Sequence, residues 1–185
     1  MWGFSIESHK SVVYHKKRLL NRPAREDSGF ERKSMKIAIG SDEKTHITDA
    51  VMELLQAEHE VIPSGPLRDQ EASWPSVALE VSETVAEGNA DMGILFCWTG
   101  TGVSIAANKV TRIRAALCDD AETARGARLW NNANVLCLSL RRTSETVAIE
   151  IIEAWMTTAH VPNPEDDACL SLLGDIEEKY SGALS

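Results

Sequence analysis

GILFCWTGTGVSIAANK, residues 93–109, is the stretch on which the fold turns. Gly93 to Cys97 is an unbroken apolar run of strand length, Trp98 to Gly102 is a Thr/Gly-rich turn, and Val103 to Lys109 has helical period. A continuous apolar strand is one buried on both faces, as in a parallel sheet whose two sides are covered by helices. Strand, tight turn and helix together make the first half of a βαβ unit.

Outward from this stretch the same alternation continues. Lys36–Ser41, Glu60–Pro63, Met92–Cys97, Ile113–Cys118 and Asn134–Leu138 read as strands. Amphipathic segments lie between and after them at Ile47–Glu58, Ser76–Glu87, Val103–Lys109, Ala121–Leu129 and Thr143–Thr158, with a last helix over Ala168–Lys179. The pattern predicts a Rossmann-like three-layer α/β/α sandwich with a five-stranded parallel sheet. Ser64–Trp74 reads as a surface flap with a mobile tip. In such a sheet the ligand site lies beyond the carboxyl ends of the strands. The residues to inspect are therefore Ser41–Glu43, Cys97–Gly102, Asp119–Asp120 and Ser139–Arg142.

The chain has 185 residues and a formal charge of -9. Residues 1–34 hold eight Lys/Arg against four Asp/Glu, so a basic extension precedes an acidic domain over 35–185. The polar stretch 21–34 has neither a strand nor a helix period and reads as a linker. The extension is either a loose tail or an arm that contacts RNA, a membrane or the acidic body. The acidity of the whole argues against a general nucleic-acid binder, which needs a basic face. No apolar run approaches the roughly 20 residues of a membrane span. The first 20 residues are too charged for a secretory signal, so the expected compartment is the cytoplasm. Four cysteines, with no CxxC pair or zinc-type spacing, read as reduced thiols.

Glycines at 100 and 102 allow close backbone approach and positive φ, and free N–H groups at the start of the following helix would face an oxyanion or a phosphate. The same field would favour a thiolate at Cys97, as base or nucleophile. The bland alternative is that Cys97 is a small buried filler.

Residues 93–109, followed by Ile113-Arg114-Ala115-Ala116-Leu117-Cys118, strongly resemble the ribose-5-phosphate isomerase B / galactose-6-phosphate isomerase family. The resemblance runs from Met35 to about Met156 and includes the Gly40-Ser41-Asp42 end of the first strand, Ala127-Arg128-Leu129 with Asn131, and Asn134 to Leu138 followed by Arg141. It implies an aldose–ketose isomerase for sugar phosphates that uses neither metal nor other cofactor. It also implies a homodimer or homotetramer with sites between subunits. Cys97 corresponds to the family's base, which moves a proton between C1 and C2 through a cis-enediolate. Thr99, with the backbone of Gly100, Thr101 and Gly102, would hold the oxyanion. Asp42, Asn131 and Arg141 match further substrate contacts, and Glu43, Trp98 and Trp130 occupy substrate-lining positions with unfamiliar side chains.

Three departures stand out. Trp130 occupies the place of the ring-opening histidine, and an indole N–H can donate but not act as a base. Glu43 replaces a second histidine, with His46 three residues on as a substitute or as an ordinary surface residue. No arginine follows Arg142, where the family supplies two for phosphate, and Asp166 and Asp167 read instead as caps of the last helix. Together these losses suit a substrate that is already open-chain, such as a tetrose 4-phosphate. The alternatives are a non-catalytic sugar- or polyol-binding relative, or a partner-binding module built on the basic arm. Arg125 and Arg128 read as surface charges or complements of the helix dipole, Asp119–Asp120 as a helix cap, and Cys118, Cys137 and Cys169 as packing. Trp74 and Trp155 read as core or subunit contacts.

Overall fold

A computed structural model describes residues 34–181, and the basic arm lies outside them. Strands β1 (Lys36–Ser41), β2 (Glu60–Ser64), β3 (Met92–Cys97), β4 (Ala115–Leu117) and β5 (Val135–Ser139) form one parallel sheet in the order β2-β1-β3-β5-β4. Among the described residues the helices are α1 (His46–Gln56), α2 (Trp74–Ala86), α3 (Thr101–Ala107), α4 (Ala121–Leu129), α5 (Glu145–Thr157) and α6 (Pro164–Ser181), with a 3-10 turn at Gly65–Arg68.

Successive strand side chains point to opposite faces. Ile37, Ile39, Ile94, Phe96, Leu136 and Leu138 therefore pack on one side with Val51 and Leu55 of α1, Ala124 of α4, and Ile151 and Trp155 of α5. Ala38, Leu95, Cys97, Val135 and Cys137 pack on the other with Val77 and Val81 of α2 and Val103 of α3. Two covered faces are why the strand sequences are unbroken apolar runs, and the result is the α/β/α sandwich. β1 lies between β2 and β3, so the chain leaves β1 in one direction and later returns to pair on its other side. That reversal opens a crevice at the carboxyl ends of β1 and β3, which carry Asp42 and Cys97.

Several local expectations need correction. β4 is three residues long, not the six of Ile113–Cys118. Side-chain amides bond the backbone at its start: Asn134 accepts from the Arg114 N–H and donates to the Arg112 carbonyl, and Asn108 bonds both backbone groups of Ala115. The segment 64–74 is not a free flap. Gly65 and Leu67 are buried, Arg68 pairs with Glu80 at 2.7 Å, and Ser64 Oγ donates to Glu80 at 2.5 Å.

The last helix begins at Pro164 and is capped by Asn163, whose Oδ1 accepts the Asp166 N–H at 2.9 Å. Proline at the first helical position fits because its missing N–H would have had no intrahelical partner. Asp166 and Asp167 thus lie inside the first turn and are not caps. Cys169 is exposed, so it is not a packing residue.

Arg128 is buried, not a surface charge. Its guanidinium donates to the carbonyls of Ala133 and Thr158 and stands 5.2 Å from the centre of the Trp155 ring. Asp120 does cap α4, accepting the Thr123 N–H at 2.7 Å, which lowers its own pKa. No described helix is long and apolar enough to cross a membrane.

Candidate active site

β3 ends at Cys97, whose side chain is packed inward and whose carbonyl accepts two backbone N–H groups, from Gly100 at 3.2 Å and from Leu140 at 3.0 Å. Trp98 is next, with its side chain 61% exposed. Its carbonyl accepts from the Arg141 N–H at 3.0 Å and from Ser139 Oγ at 2.9 Å. The turn after β3 and the turn after β5 are thus stitched together, which brings Cys97, Trp98 and Arg141 to one edge.

Gly100 is the residue that permits this turn. Its φ is +73°, and a Cβ there would lie 3.0 Å from the Leu138 carbonyl carbon and 2.5 Å from Leu117 Cδ1. α3 starts directly after it, two residues earlier than the sequence suggests. The expected set of oxyanion donors shifts accordingly. The Gly100 N–H is spent on the Cys97 carbonyl, whereas Thr101, Gly102 and Val103 occupy the positions whose N–H groups have no intrahelical acceptor. The hydroxyls of Thr99 and Thr101 are 2.6 Å apart and form one polar pair at the mouth of the turn.

Two residues were not assigned from the sequence as site components, one beside the turn and one at the other edge of the sheet. Trp74, the first residue of α2, lays its ring over Gly102, so that a Cβ at 102 would be 3.1 Å from the ring carbons. Gly102 is small because the indole occupies the space. Nothing in the local sequence links positions 74 and 102, since the contact exists only once α2 and α3 pack side by side.

Asp42 follows β1 on the neighbouring strand. Burial chiefly raises its pKa, its own backbone bond opposes this, and the charge of Glu43 adds to the rise. Its carboxyl, with Pro66, Glu71, Ala72 and Ser73, lines an open depression of about 480 Å³. Ser41 Oγ bridges the Glu43 backbone, donating to its carbonyl at 2.6 Å and accepting its N–H at 3.2 Å. The Glu43 and His46 side chains are exposed.

Trp130 and Asn131 are not with these residues. They follow α4, which returns the chain from the carboxyl end of β4 to the amino end of β5, so they lie at the opposite edge of the sheet from Cys97. A five-residue strand separates the two edges by on the order of 15 Å. Trp130 folds back over Gly126, where a Cβ would be 2.7 Å from the ring. Asn131 lines a groove of about 990 Å³ between the body and α6.

The second residue missed is His160, on the α5–α6 connection. Its Nδ1 is 2.7 Å from the Leu129 carbonyl and its Nε2 is 3.1 Å from Asp167 Oδ1. No group of three or more His, Cys, Asp or Glu side chains converges to hold a metal among the described residues.

Residues 37–167 match the family described as Ribose/Galactose Isomerase. The chain is 38% identical over 123 residues to ribose-5-phosphate isomerase B of Escherichia coli, covering 65% of this chain and 83% of that one. It is 38% identical over 129 residues to D-erythrulose-4-phosphate isomerase of Pectobacterium atrosepticum, covering 66% and 82% respectively. The solved ribose-5-phosphate isomerase B of Clostridium thermocellum superposes with a TM-score of 0.74 at 36% identity, over 79% of this chain and 99% of that one. The match runs from β1 into the first turn of α6 and takes in both edges of the sheet, and on it the chain belongs to the ribose/galactose isomerase family.

Proposed function

We propose that this isomerase interconverts an aldose and a ketose phosphate by proton transfer at Cys97. The observation that carries the reading is Cys97 itself, at the carboxyl end of β3 and at the mouth of a turn whose Thr101 and Gly102 N–H groups lack intrahelical acceptors. The Cys97 thiolate takes the proton from the carbon bearing the hydroxyl and returns it to the neighbouring carbon. The hydroxyl proton moves the same way, from the hydroxyl oxygen to the neighbouring carbonyl oxygen, so the cis-enediolate is the intermediate and no redox partner is needed. Negative charge grows on oxygen in that step, and the Thr99–Thr101 hydroxyls and the turn N–H groups are the donors available to it. Asp42 lies across the β1/β3 crevice to hold sugar hydroxyls, and Arg141 follows β5 as a cation for the phosphate.

The separation of Trp130 and Asn131 from Cys97 within one chain supports a site completed by a second copy, one subunit contributing the Cys97 edge and the other the Trp130 edge. Trp130 cannot open a sugar ring, which favours a substrate without one. The D-erythrulose-4-phosphate isomerase relative acts, by its name, on a sugar of that kind. A tetrose phosphate is therefore the proposed substrate, ahead of a pentose phosphate. The same Trp130 favours a second reading, a protein that binds a sugar or polyol without turning it over.

The deciding assay is turnover of C4 to C6 aldoses and ketoses, phosphorylated and free, by the protein and by Cys97→Ala. Activity on erythrulose 4-phosphate well above that on ribose 5-phosphate, lost in the variant, is the expected result. Equal rates on the two sugars would overturn the tetrose assignment. No turnover, with a sugar still shielding Cys97 from alkylation, would replace the enzyme reading by the binding one.

A further inference from the structure

The two carbonyls that bracket the loop bearing Trp130 and Asn131 are each held by a basic side chain. Ala133 O accepts from Arg128, and Leu129 O accepts from His160 Nδ1 at 2.7 Å. The other ring nitrogen of His160 meets Asp167 Oδ1 at 3.1 Å. A carbonyl and a carboxylate oxygen only accept, so both contacts are hydrogen bonds when both ring nitrogens carry hydrogen. The geometry is that of an imidazolium.

The groups around the ring agree. The Leu129 carbonyl at the end of α4 is the largest influence and raises the His160 pKa, burial opposes it, and Asp167 and then Asp166 from α6 raise it further. Arg128 faces the same connection but is directed at the carbonyls of Thr158 and Ala133. Asn163 spends its amide on Asp166 and on the Val161 carbonyl. His160 is therefore the side chain that reaches both the end of α4 and the first turn of α6.

We propose that His160 is a positioning residue, tying the Trp130–Asn131 loop to the first turn of α6 so that the seating of α6 and the presentation of that edge of the site are coupled. A further polar tether lies near the far end of α6, where Glu177 accepts the Arg112 N–H at 2.6 Å. Between the two tethers lies the 990 Å³ groove, and Leu172, Ile176 and Tyr180 of α6 remain exposed. The consequence for catalysis rests on the proposed function; the structural coupling does not.

The test compares the full chain with His160→Leu, which removes both bonds, and His160→Asn, whose short amide retains a donor toward Leu129 without the charge. Amide hydrogen exchange is read at residues 129–133, where Trp130 and Ala133 donate to Gly126 and Ala127. Exchange there should quicken about tenfold in His160→Leu, the equivalent of one charge-assisted bond, leave β3 unchanged, and recover in His160→Asn. Nitrogen NMR of the unaltered protein should show both His160 nitrogens protonated at pH 6.5. KM for the sugar phosphate should rise in His160→Leu with kcat little altered.

Unchanged exchange in His160→Leu, or a neutral His160 at that pH, overturns the proposal. Should no sugar phosphate be turned over by the unaltered protein, the function fails, while exchange and NMR still decide the coupling.

Discussion

The carbonyl of Trp98 accepts the backbone N–H of Arg141 at 3.0 Å, joining the turn that follows Cys97 to the turn that follows β5. Ser139 Oγ reinforces the joint at 2.9 Å. A backbone bond of this kind sets the spacing between the proposed base and the proposed phosphate cation before any substrate arrives, which is the preorganisation that enolisation chemistry needs.

Removal of the base should be costly. Cys97→Ala is expected to lower kcat/KM by about 10³-fold, within the usual range for a positioned acid–base group, while the loss of one buried sulfur lowers the melting temperature only modestly. Steady-state kinetics beside a thermal melt distinguishes loss of chemistry from loss of fold.

The four thiols should separate in an alkylation experiment at pH 8. Cys169 is exposed and should react first. Cys118, pushed up to about 12 by burial and then by Asp120 and Asp119, should remain unmodified, as should Cys137, which burial raises further. Substrate should slow the labelling of Cys97 and leave that of the exposed Cys169 unchanged, as read by peptide mass spectrometry. Equal protection of Cys97 and Cys169 would point to general tightening and not to a site at Cys97.

Gly100 and Gly174 should respond oppositely to alanine. At Gly100 the added Cβ meets the Leu138 backbone and Leu117 at a φ of +73°, and at Gly174 it meets nothing within 4 Å. Gly100→Ala should cost at least about 2 kcal/mol, lowering Tm by about 4–8 °C, whereas Gly174→Ala in exposed α6 should gain up to about 1 kcal/mol. Differential scanning calorimetry on the two variants checks both signs.

Arg128 should not tolerate replacement. Arg128→Met leaves the Ala133 and Thr158 carbonyls without their donors, for an expected loss of about 3 kcal/mol. Arg128→Lys should recover only part of it, because an ammonium cannot present the same planar fork over Trp155. Chemical denaturation of the three proteins measures the difference.

Stability should carry the signature of His160. Its folded pKa is raised, so its contribution is fully present below the unfolded value of about 6.5 and disappears as pH climbs through the folded value. The Tm difference between the unaltered protein and His160→Leu should therefore be largest in mild acid and shrink on the alkaline side. A difference that grew with pH would mean that the neutral ring is the favoured form.

Some of this was legible in the sequence because it depends on neighbours along the chain. The apolar runs placed β1 and β3 at their observed ends, the 3.6 period and Asp120 placed α4, and the Thr/Gly composition marked the turn after Cys97. The family resemblance supplied the candidate residues on both edges of the sheet.

Other features depend on groups far apart in sequence. The backbone at the start of β4 is bonded by Asn108 and Asn134, which reach Ala115 and Arg114 from elsewhere in the chain, and a propensity argument over 113–118 cannot see them. The contact of Trp74 with Gly102 arises when α2 and α3 pack side by side. Arg128 looked like a surface charge because one of its acceptors, the Thr158 carbonyl, becomes a neighbour only once α4 and α5 pack together.

What the sequence by itself determined is the architecture and the chemistry on offer: hydrophobic periodicity dictates which segments are strands and helices, and residue type dictates which groups can move a proton. Only the tertiary structure decided where those groups stand, because placement depends on sheet order and on long-range hydrogen bonds. It put Cys97, Asp42 and Arg141 at one edge, Trp130 and Asn131 at the other, and a doubly bonded His160 between α4 and α6.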